Sequence, residues 1–235
     1  MMKLYSGPLS LFSRKVEIAL AEKSLPCTRI VVSFAQDRGY FDKPPDVCRI
    51  NPKGQVPVLI DGDVEIYDST VIVEYLEDAY PRPGLFPPGA AQRAAVRQWE
   101  MFGDEVMLVP LRKLMHRTEP RDQASAAWHA LEADAKLAEG QLSSLLDALD
   151  MALHGSRYLC GDFSAADISC FMQVFWCQRL AGPAFGERHA LRAWFRLLQA
   201  RQSFWTMMSD VRDQDLRLSA RVLAAYPDIP ELREA

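Results

Sequence analysis

The stretch LYSGPLSLFSRKVEIALAEK, residues 4–23, runs from a short apolar strand through a small polar loop into an amphipathic helix. Apolar side chains at Phe12, Val16 and Leu20 follow helical spacing, with charged residues between them. A serine at a helix N-terminus either caps the first turn or donates a hydrogen bond to an anion held by the same amides. Ser10 is placed for both uses, so this loop is the first candidate for a binding site.

Strand and helix signals alternate over the first 80 or so residues. The segment CTRIVVSF, residues 27–34, predicts a second strand, and residues 39–50 predict a weak, proline-interrupted helix or a loop. The segment VPVLIDGDVEIYD, residues 56–68, predicts two strands joined by a hairpin at Asp61-Gly62. An apolar stripe then predicts a helix that stops before Pro81; it comprises Val71, Ile72, Tyr75, Leu76 and Ala79.

The proline-rich segment PRPGLFPP, residues 81–88, separates this half of the chain from a purely helical half. Its prolines cannot continue a helix and form a stiff crossover. Leucines at steps of three and four predict a long helix over 128–153, and Pro110 is expected to kink an earlier one. We therefore expect a first domain at 1–80, a linker at 81–90 and a helical domain at 91–235, with a loosely packed tail from about 215.

The composition is that of a globular protein of 235 residues, with 49% hydrophobic and 25% charged residues. A net charge of -4 and a pI near 5.6 indicate no nucleic-acid partner. The opening segment MMKLYSGPL lacks the apolar core of a secretory signal, and no run approaches about 18 apolar residues. We expect a cytoplasmic protein without a membrane partner.

The five cysteines are scattered, with no C-x-x-C pair and no cluster with histidine. This spacing predicts neither a metal site nor a disulfide. We expect all of them to be buried small apolar groups, namely Cys27, Cys48, Cys160, Cys170 and Cys177.

Two further segments place polar groups where a ligand binds. In NPKGQVPVL, Pro57 at a strand start indicates an edge, a bulge or a cis bond that frees the backbone of Val56 for an extended peptide; a simple turn is the alternative. In YDST, Asp68 or Ser69 caps the next helix. The helix amides favour a carboxylate and the aspartate favours an ammonium, so the pair suits an amino-acid head group; plain capping is the alternative.

A capping box is predicted in GDFSAADIS, where Ser164 is followed three residues later by Asp167 at the start of an apolar run. Its interpretation is structural. No G-x-S-x-G segment surrounds the serines near the N-terminus, which argues against hydrolase chemistry.

Taken in order, the segments at 4–20, 51–59, 67–81 and 161–169 resemble the cytosolic glutathione S-transferase family. The resemblance implies a thioredoxin-like α/β N-terminal domain followed by an all-α helical-bundle C-terminal domain. It also implies glutathione as co-substrate, no metal, a homodimer and a role in detoxification.

The resemblance assigns roles residue by residue. Ser10 matches the residue that touches the glutathione sulfur, and Pro57 matches the family's cis-proline. Val56 is expected to exchange backbone hydrogen bonds with the cysteinyl part. Asp68 and Ser69 are expected to hold the γ-glutamyl ammonium and carboxylate.

Weaker candidates complete the predicted site. Lys53 and Gln55 are candidates for the glycyl end of glutathione. The apolar wall for a hydrophobic electrophile is predicted from Phe12, Trp99, Phe102, Met107 and Met115. The charged residues Asp104, Glu105 and Arg112 are expected to face solvent or a dimer partner, because charge on a helix usually faces water.

The predicted function is thiolate activation for attack on a small hydrophobic electrophile. Ser10 stands where omega-like members carry cysteine, which favours conjugation or peroxide chemistry over thiol–disulfide exchange. Two alternatives remain open: a glutathione-dependent reductase or isomerase, and a non-catalytic interaction protein resembling stringent starvation protein A, which binds RNA polymerase.

Overall fold

The computed structural model describes residues 1–121 and 125–233 and consists of a mixed α/β unit followed by helices. The first part contains β1 (Lys3–Ser6), α1 (Leu11–Glu22), β2 (Thr28–Val31), β3 (Phe34–Ala35), β4 (Gly39–Tyr40), α2 (Pro45–Ile50), β5 (Val58–Asp61), β6 (Val64–Tyr67) and α3 (Ser69–Ala79). The second part contains α4 (Ala90–Met101), a π-helical segment (Phe102–Met107), α5 (Leu108–Arg112), α6 (Ala126–Leu153), α7 (Ala165–Arg179), α8 (His189–Gln199) and α9 (Gln202–Leu218). The predicted fold class, thioredoxin-like α/β followed by all-α, is confirmed.

The four-stranded sheet has the order β2-β1-β5-β6, with β1 parallel to β2 and the other pairs antiparallel. Successive side chains of β1 point to opposite faces. Leu4 enters the main core, whereas Tyr5 enters a smaller apolar cluster and donates a hydrogen bond to Asp46 Oδ2 in α2 at 2.6 Å. Tyr5 therefore points away from α1, on the opposite face of the sheet.

The hairpin between β5 and β6 turns one residue later than the sequence predicts. Asp61 pairs with Val64, so the two-residue turn is Gly62-Asp63 rather than Asp61-Gly62. Gly62 has a φ of 60°, which glycine adopts without steric cost. The pairing register places Val58 opposite both Tyr5 and Tyr67.

The main core is centred on α7, which is buried along its whole length. It packs against α1 from the first part and against α4 and the π-helical segment from the second. The predicted capping box starts this helix: Asp167 Oδ2 accepts the Ser164 amide at 3.0 Å. Asp167 also accepts the Trp194 indole N–H at 2.8 Å, so the box ties α7 to α8.

The proline-rich crossover is held by a buried lysine of α1's C-terminal end. Lys23 Nζ lies 2.7 Å from Glu77 Oε2 and donates to the carbonyl oxygens of Tyr80 and Pro83 at 2.8 and 2.9 Å. Glu77 also accepts the Leu85 amide at 2.8 Å. The crossover is thus bonded to both α1 and α3.

A second buried lysine joins the two parts of the chain. Lys15 Nζ in α1 lies 2.7 Å from both Glu100 Oε1 and Asp104 Oδ2 and donates to Thr70 Oγ1 at 3.0 Å. Asp104 is also bonded by Ser169 of α7, at 2.7 Å. Burial acts to lower the pKa of Lys15, but the two carboxylates raise that pKa by more than burial lowers it. The ammonium therefore stays charged.

The expectation that Asp104 faces solvent or a dimer partner is therefore wrong. Asp104 is 7% exposed, because a buried cation 89 positions earlier in the chain needs its charge. Glu105 and Arg112 are exposed.

Pro110 lies in the helical stretch that the structure divides into α4, a π-helical turn and α5. It is the third residue of α5, and the preceding turn, Phe102–Met107, is π-helical. Proline removes one helical hydrogen bond and crowds the carbonyl four residues earlier, and a widened turn is one way to accommodate it.

The tail after 215 is packed, contrary to the expected loose attachment. Tyr226, Ile229 and Leu232 are buried in the main core cluster. The Tyr226 amide donates to the Gln178 carbonyl at 2.6 Å, which anchors the tail to α7. Among the described residues, no helix is long and apolar enough to cross a membrane.

Replacing Lys15 by methionine is expected to lower the free energy of unfolding by about 3–5 kcal/mol, because two buried carboxylates lose their cation. Urea titration of the wild type and Lys15→Met measures the difference. Lys136→Met in α6 is the matched control: Lys136 is exposed, so its replacement should change stability by less than about 0.5 kcal/mol.

Neutralising the partners distinguishes unpaired charge from lost packing. Adding Glu100→Gln and Asp104→Asn to Lys15→Met should recover part of the lost stability. No recovery, or a Lys15→Met effect as small as that of the control, would contradict the role assigned to this cluster.

Candidate active site

The loop between β1 and α1 presents Ser10 at the N-terminus of a twelve-residue helix. Ser10 is the N-cap: its backbone is extended and its Oγ accepts the Ser13 amide at 3.2 Å. This bond uses a lone pair of the hydroxyl and leaves its hydrogen free to donate. The helix dipole places partial positive charge at the same end. An anion at this loop would therefore meet a hydroxyl donor and a favourable field.

Two residues of α1's first turns hold the loop in place. Ser13, which is fully buried, accepts the Gly7 amide on its Oγ at 3.1 Å. Arg14 donates to the Pro8 carbonyl from Nε at 3.1 Å and from a terminal nitrogen at 2.7 Å. The two serines thus have different positions: Ser10 caps the helix, and Ser13 fastens the loop from beneath.

Tyr40, at the end of β4, lies across this loop. A Cβ atom built on Gly7 would be 2.5 Å from the Tyr40 hydroxyl oxygen and closer still to two ring carbons. Only a glycine leaves room for the ring at this distance. Phe34 of β3 packs against the Tyr40 ring at a tilt, with centroids 5.0 Å apart. The hairpin β3–β4 therefore carries an aromatic side chain onto the backbone beside Ser10.

The loop before β5 contains a cis peptide bond between Val56 and Pro57, as the resemblance implies. Val56 is buried, and its backbone lies beyond the ladder, which begins at Val58. Asn51 shapes the loop: its Nδ2 donates to the Gln55 carbonyl at 2.8 Å and its Oδ1 accepts the Lys53 amide at 3.0 Å.

The predicted glycyl candidates occupy that loop. Lys53 and Gln55 are both exposed, with side chains free of the core. Both side chains are therefore accessible to a ligand.

Asp68 caps α3 in a backbone conformation that non-glycine residues rarely adopt, with φ 77° and ψ 129°. Its Oδ1 accepts the amides of Thr70 and Val71 at 3.0 and 3.4 Å. Holding such a residue costs about 1–3 kcal/mol, and strain of this kind concentrates at binding sites. Both bonds end on Oδ1, so Oδ2 can receive a cation. Ser69, the first residue of α3, is 4% exposed.

The predicted apolar wall is brought together only in part. Trp99 and Phe102 pack edge to face, with centroids 5.1 Å apart, and Phe12 is half-buried. Met115 is 37% exposed. Met107 is fully buried in the main core, so its side chain cannot line an open pocket in this structure; the π-helical turn directs it inward.

The cysteines divide into three environments. Cys170 and Cys177 are buried, Cys27 and Cys160 are half-buried, and Cys48 is exposed on α2, contrary to the expectation for all five. Burial and nearby carboxylates raise the pKa of Cys27 and of Cys160 to about 11. Those two thiols are consequently protonated, and poor nucleophiles, at neutral pH.

Comparison with known proteins identifies the family of this chain. The family description "Glutathione S-transferase, N-terminal domain" matches residues 4–84. The glutathione S-transferase GST-4.5 of Xanthomonas campestris is 30% identical over 201 residues, which cover 85% of this chain and 93% of that protein. The chain belongs to the glutathione S-transferase family.

Other proteins similar to this chain differ in how far they align. A theta class transferase from Xanthomonas axonopodis, solved with glutathione bound, has a TM-score of 0.75 at 26% identity and covers 88% of this chain and 96% of its own. FtsZ-localized protein A of Caulobacter vibrioides is 29% identical over 222 residues, 88% of this chain and 90% of that protein. The match to glutathione S-transferase Z1 of Arabidopsis thaliana is 44% identical but spans only 41% of that relative.

Sequence reasoning missed Tyr40, which no segment of the transferase resemblance includes. Residues 39–50 give only the signal of an irregular segment, and nothing local indicates that Tyr40 folds back over Gly7. Sequence reasoning also missed Arg14, because a charged residue in an amphipathic helix is expected to face water.

Gly7→Ala is expected to lower the free energy of unfolding by about 1–3 kcal/mol, because the new methyl overlaps the Tyr40 ring. In a Tyr40→Ala background the same change should cost much less, giving a coupling energy of about 0.5 kcal/mol or more in a double-mutant cycle. Urea unfolding of the four proteins measures it.

Gly140→Ala serves as the control for the alanine substitution itself. Gly140 lies in α6 with open space around its Cα, so alanine there should stabilise the helix by about 0.5–1 kcal/mol. Purely additive effects of the Gly7 and Tyr40 changes would show that the two residues do not press on each other.

Proposed function

We propose that this protein is a glutathione transferase that binds glutathione along the first part of the chain and activates its thiol at Ser10. The observation that carries the proposal is the Ser10 hydroxyl at the N-terminus of α1, whose oxygen accepts the Ser13 amide and whose hydrogen can donate. The cis Val56-Pro57 bond and the Asp68 cap of α3 supply the other features that the family resemblance implies. The solved family member with bound glutathione supports the choice of ligand.

Each end of glutathione has a complementary group in this arrangement. The Asp68 carboxylate suits the γ-glutamyl ammonium, and the first-turn amides at Ser69 suit its carboxylate. The backbone of Val56 pairs with the cysteinyl unit, as an added strand would. We assign Lys53 and Gln55, which are exposed, to the glycyl carboxylate. This pose directs the thiol toward Ser10.

The chemistry follows from the charge at the loop. A free thiol has a pKa of about 8.5, so only a few per cent is thiolate at neutral pH. Ser10 and the α1 dipole stabilise the thiolate, and the proton leaves to solvent. With an aromatic halide as the electrophile, the sulfur lone pair then forms a bond to the ring carbon that carries the halogen. The carbon–halogen bond breaks, and its electron pair leaves with the halide ion.

The remaining parts of the proposal concern substrate, domains and context. Apolar surface for a small hydrophobic electrophile comes from Phe12, Trp99, Phe102 and Met115. Met107 is not included, because its side chain is buried in the core. The domains are 1–80 and 91–235, joined by a linker at 81–90. The protein is proposed to work as a homodimer in the cytoplasm, in detoxification.

Removing the Ser10 hydroxyl is expected to return the pKa of the bound thiol toward about 8.5, which lowers the thiolate fraction at pH 7. A pKa difference of one to two corresponds to about 1.4–2.7 kcal/mol. At pH 7 it lowers the thiolate fraction, and with it the rate, by about eight- to twenty-fivefold. Ultraviolet absorbance of the thiolate against pH, and turnover of an aromatic halide, measure both effects.

The choice of variant matters because Ser10 also caps α1. Ser10→Ala removes hydroxyl and cap together, whereas Ser10→Gly keeps most of the capping free energy and removes only the hydroxyl. Ser10→Thr retains both functions and should retain activity. If glutathione bound to Ser10→Gly forms thiolate over the same pH range as in the wild type, the role proposed for Ser10 is wrong.

Asp68→Asn is expected to weaken glutathione binding at least tenfold, because the charge facing the ammonium is lost while asparagine still caps α3 and tolerates positive φ. Isothermal titration gives the affinity. Since Asp68 acts on the glutamyl end, the pKa of the bound thiol should stay at its wild-type value. A parallel shift of that pKa would show that the variant disturbs the whole site.

A non-catalytic interaction protein is the second candidate. The position of Tyr40 over Gly7 favours it, because this side chain covers part of the loop that the sulfur must approach. The family likeness to FtsZ-localized protein A is compatible with it. Retention on immobilised glutathione separates the candidates, since absence of binding at millimolar glutathione supports the interaction protein.

A further inference from the structure

The Tyr40 hydroxyl is buried and has no hydrogen-bond partner among the described residues. Leaving a buried donor unpaired costs about 1–3 kcal/mol, so such groups call for an explanation. The ring contacts both the Gly7 backbone and Phe34, which restrict where the hydroxyl points. It lies at the β1–α1 loop.

The groups that face this hydroxyl favour negative charge beside it. Arg14 from α1 and Arg179 from α7 act on it through their charges, and the Leu9 amide and the Ser10 hydroxyl act on its oxygen as hydrogen-bond donors. Burial nevertheless outweighs all of them and raises the pKa of Tyr40, so the phenol keeps its proton at neutral pH. It is consequently a donor.

The two arginines are themselves paired. Arg14 lies 2.7 Å from Glu17 and 2.6 Å from Asp210, and Arg179 lies 2.5 Å from Asp215. Both guanidinium charges are thus compensated by carboxylates, and Arg14 also donates to the Pro8 carbonyl of the loop.

Ser10 and Tyr40 therefore present two hydroxyl hydrogens at one loop. The Ser10 oxygen is already committed as acceptor to the Ser13 amide, so its hydrogen is free, and the Tyr40 hydrogen has no acceptor among the described residues. The Ser10 hydroxyl also acts on the Tyr40 oxygen as a donor, so the two hydroxyls lie close together. One acceptor atom with several lone pairs can take a hydrogen bond from each of them. A thiolate sulfur is such an atom.

We propose that Tyr40 is a second hydroxyl donor to the glutathione sulfur, acting with Ser10 to hold the thiolate. The inference rests on the proposed function and deepens it. The sulfur takes a hydrogen bond from each hydroxyl, and the Tyr40 ring keeps its place against Gly7, which has no side chain to exclude it.

The test is Tyr40→Phe, which keeps the ring and removes only the hydroxyl. The thiolate titration of bound glutathione should shift to higher pH, and turnover at neutral pH should fall about tenfold, as expected for loss of one hydrogen bond to an anion. Glutathione affinity measured below pH 6, where the thiol is protonated, should change less than twofold. Tyr40→Phe combined with Ser10→Gly should lose more than either alone.

Tyr75→Phe is the matched control, since Tyr75 is a half-buried tyrosine whose hydroxyl donates to Asp61 at 2.9 Å, away from this loop. It should leave the thiolate titration unchanged.

The remaining outcomes separate the two proposals. An unchanged titration in Tyr40→Phe, in a protein whose wild type forms thiolate, overturns the role of Tyr40 and leaves that of Ser10 intact. Tighter glutathione binding and faster turnover in Tyr40→Phe also overturn it, and show that the hydroxyl obstructs the site. A wild type that neither binds glutathione nor forms thiolate overturns the proposed function, and the role of Tyr40 with it.

Discussion

The charge of Lys15 is the constraint around which the two parts of the chain are assembled. An ammonium fully removed from water needs opposite charge at contact distance, and the nearest carboxylates, Glu100 and Asp104, come from the other side of the crossover. The same ammonium bonds Thr70, next to the start of α3. The cluster therefore sets α1 and α3, which carry the two polar ends of the proposed site, in fixed relation to the helical part.

Buried polar groups serve a similar purpose within the β1–α1 loop. Ser13 and Arg14 satisfy the Gly7 amide and the Pro8 carbonyl from inside the protein. The loop backbone is thereby held without using the hydrogen of Ser10. A site that binds an anion needs donors left unbonded, and such donors stay in place only if neighbouring groups are fully bonded.

The sequence predicted those features whose signals are local. The hairpin of β5 and β6, the capping box at Ser164 and the helices α1, α3 and α6 depend on turn chemistry and periodicity, and they were predicted to within one or two residues. The short hairpin of β3 and β4 was not predicted, since residues 39–50 were expected to form a weak helix or a loop. Asp104 and Tyr40 were not predicted. Asp104 is buried by a lysine 89 positions away, and Tyr40 is placed by a hairpin that folds onto Gly7, so neither position carries a local signal. The packed tail was missed for the same reason, since its partners lie on α7.

The burial of α7 along its whole length has a consequence for how this protein can diverge. An amphipathic helix has an outward face on which substitutions are nearly neutral, but α7 has no such face. Each of its side chains touches another element, and core interiors respond to a change of even one methylene. Sequence drift in this helix thus requires compensating changes in α1, α4 or α8, whereas α6 can vary freely along its solvent side. Among related chains, the sequence of α7 is therefore expected to change less than that of α6.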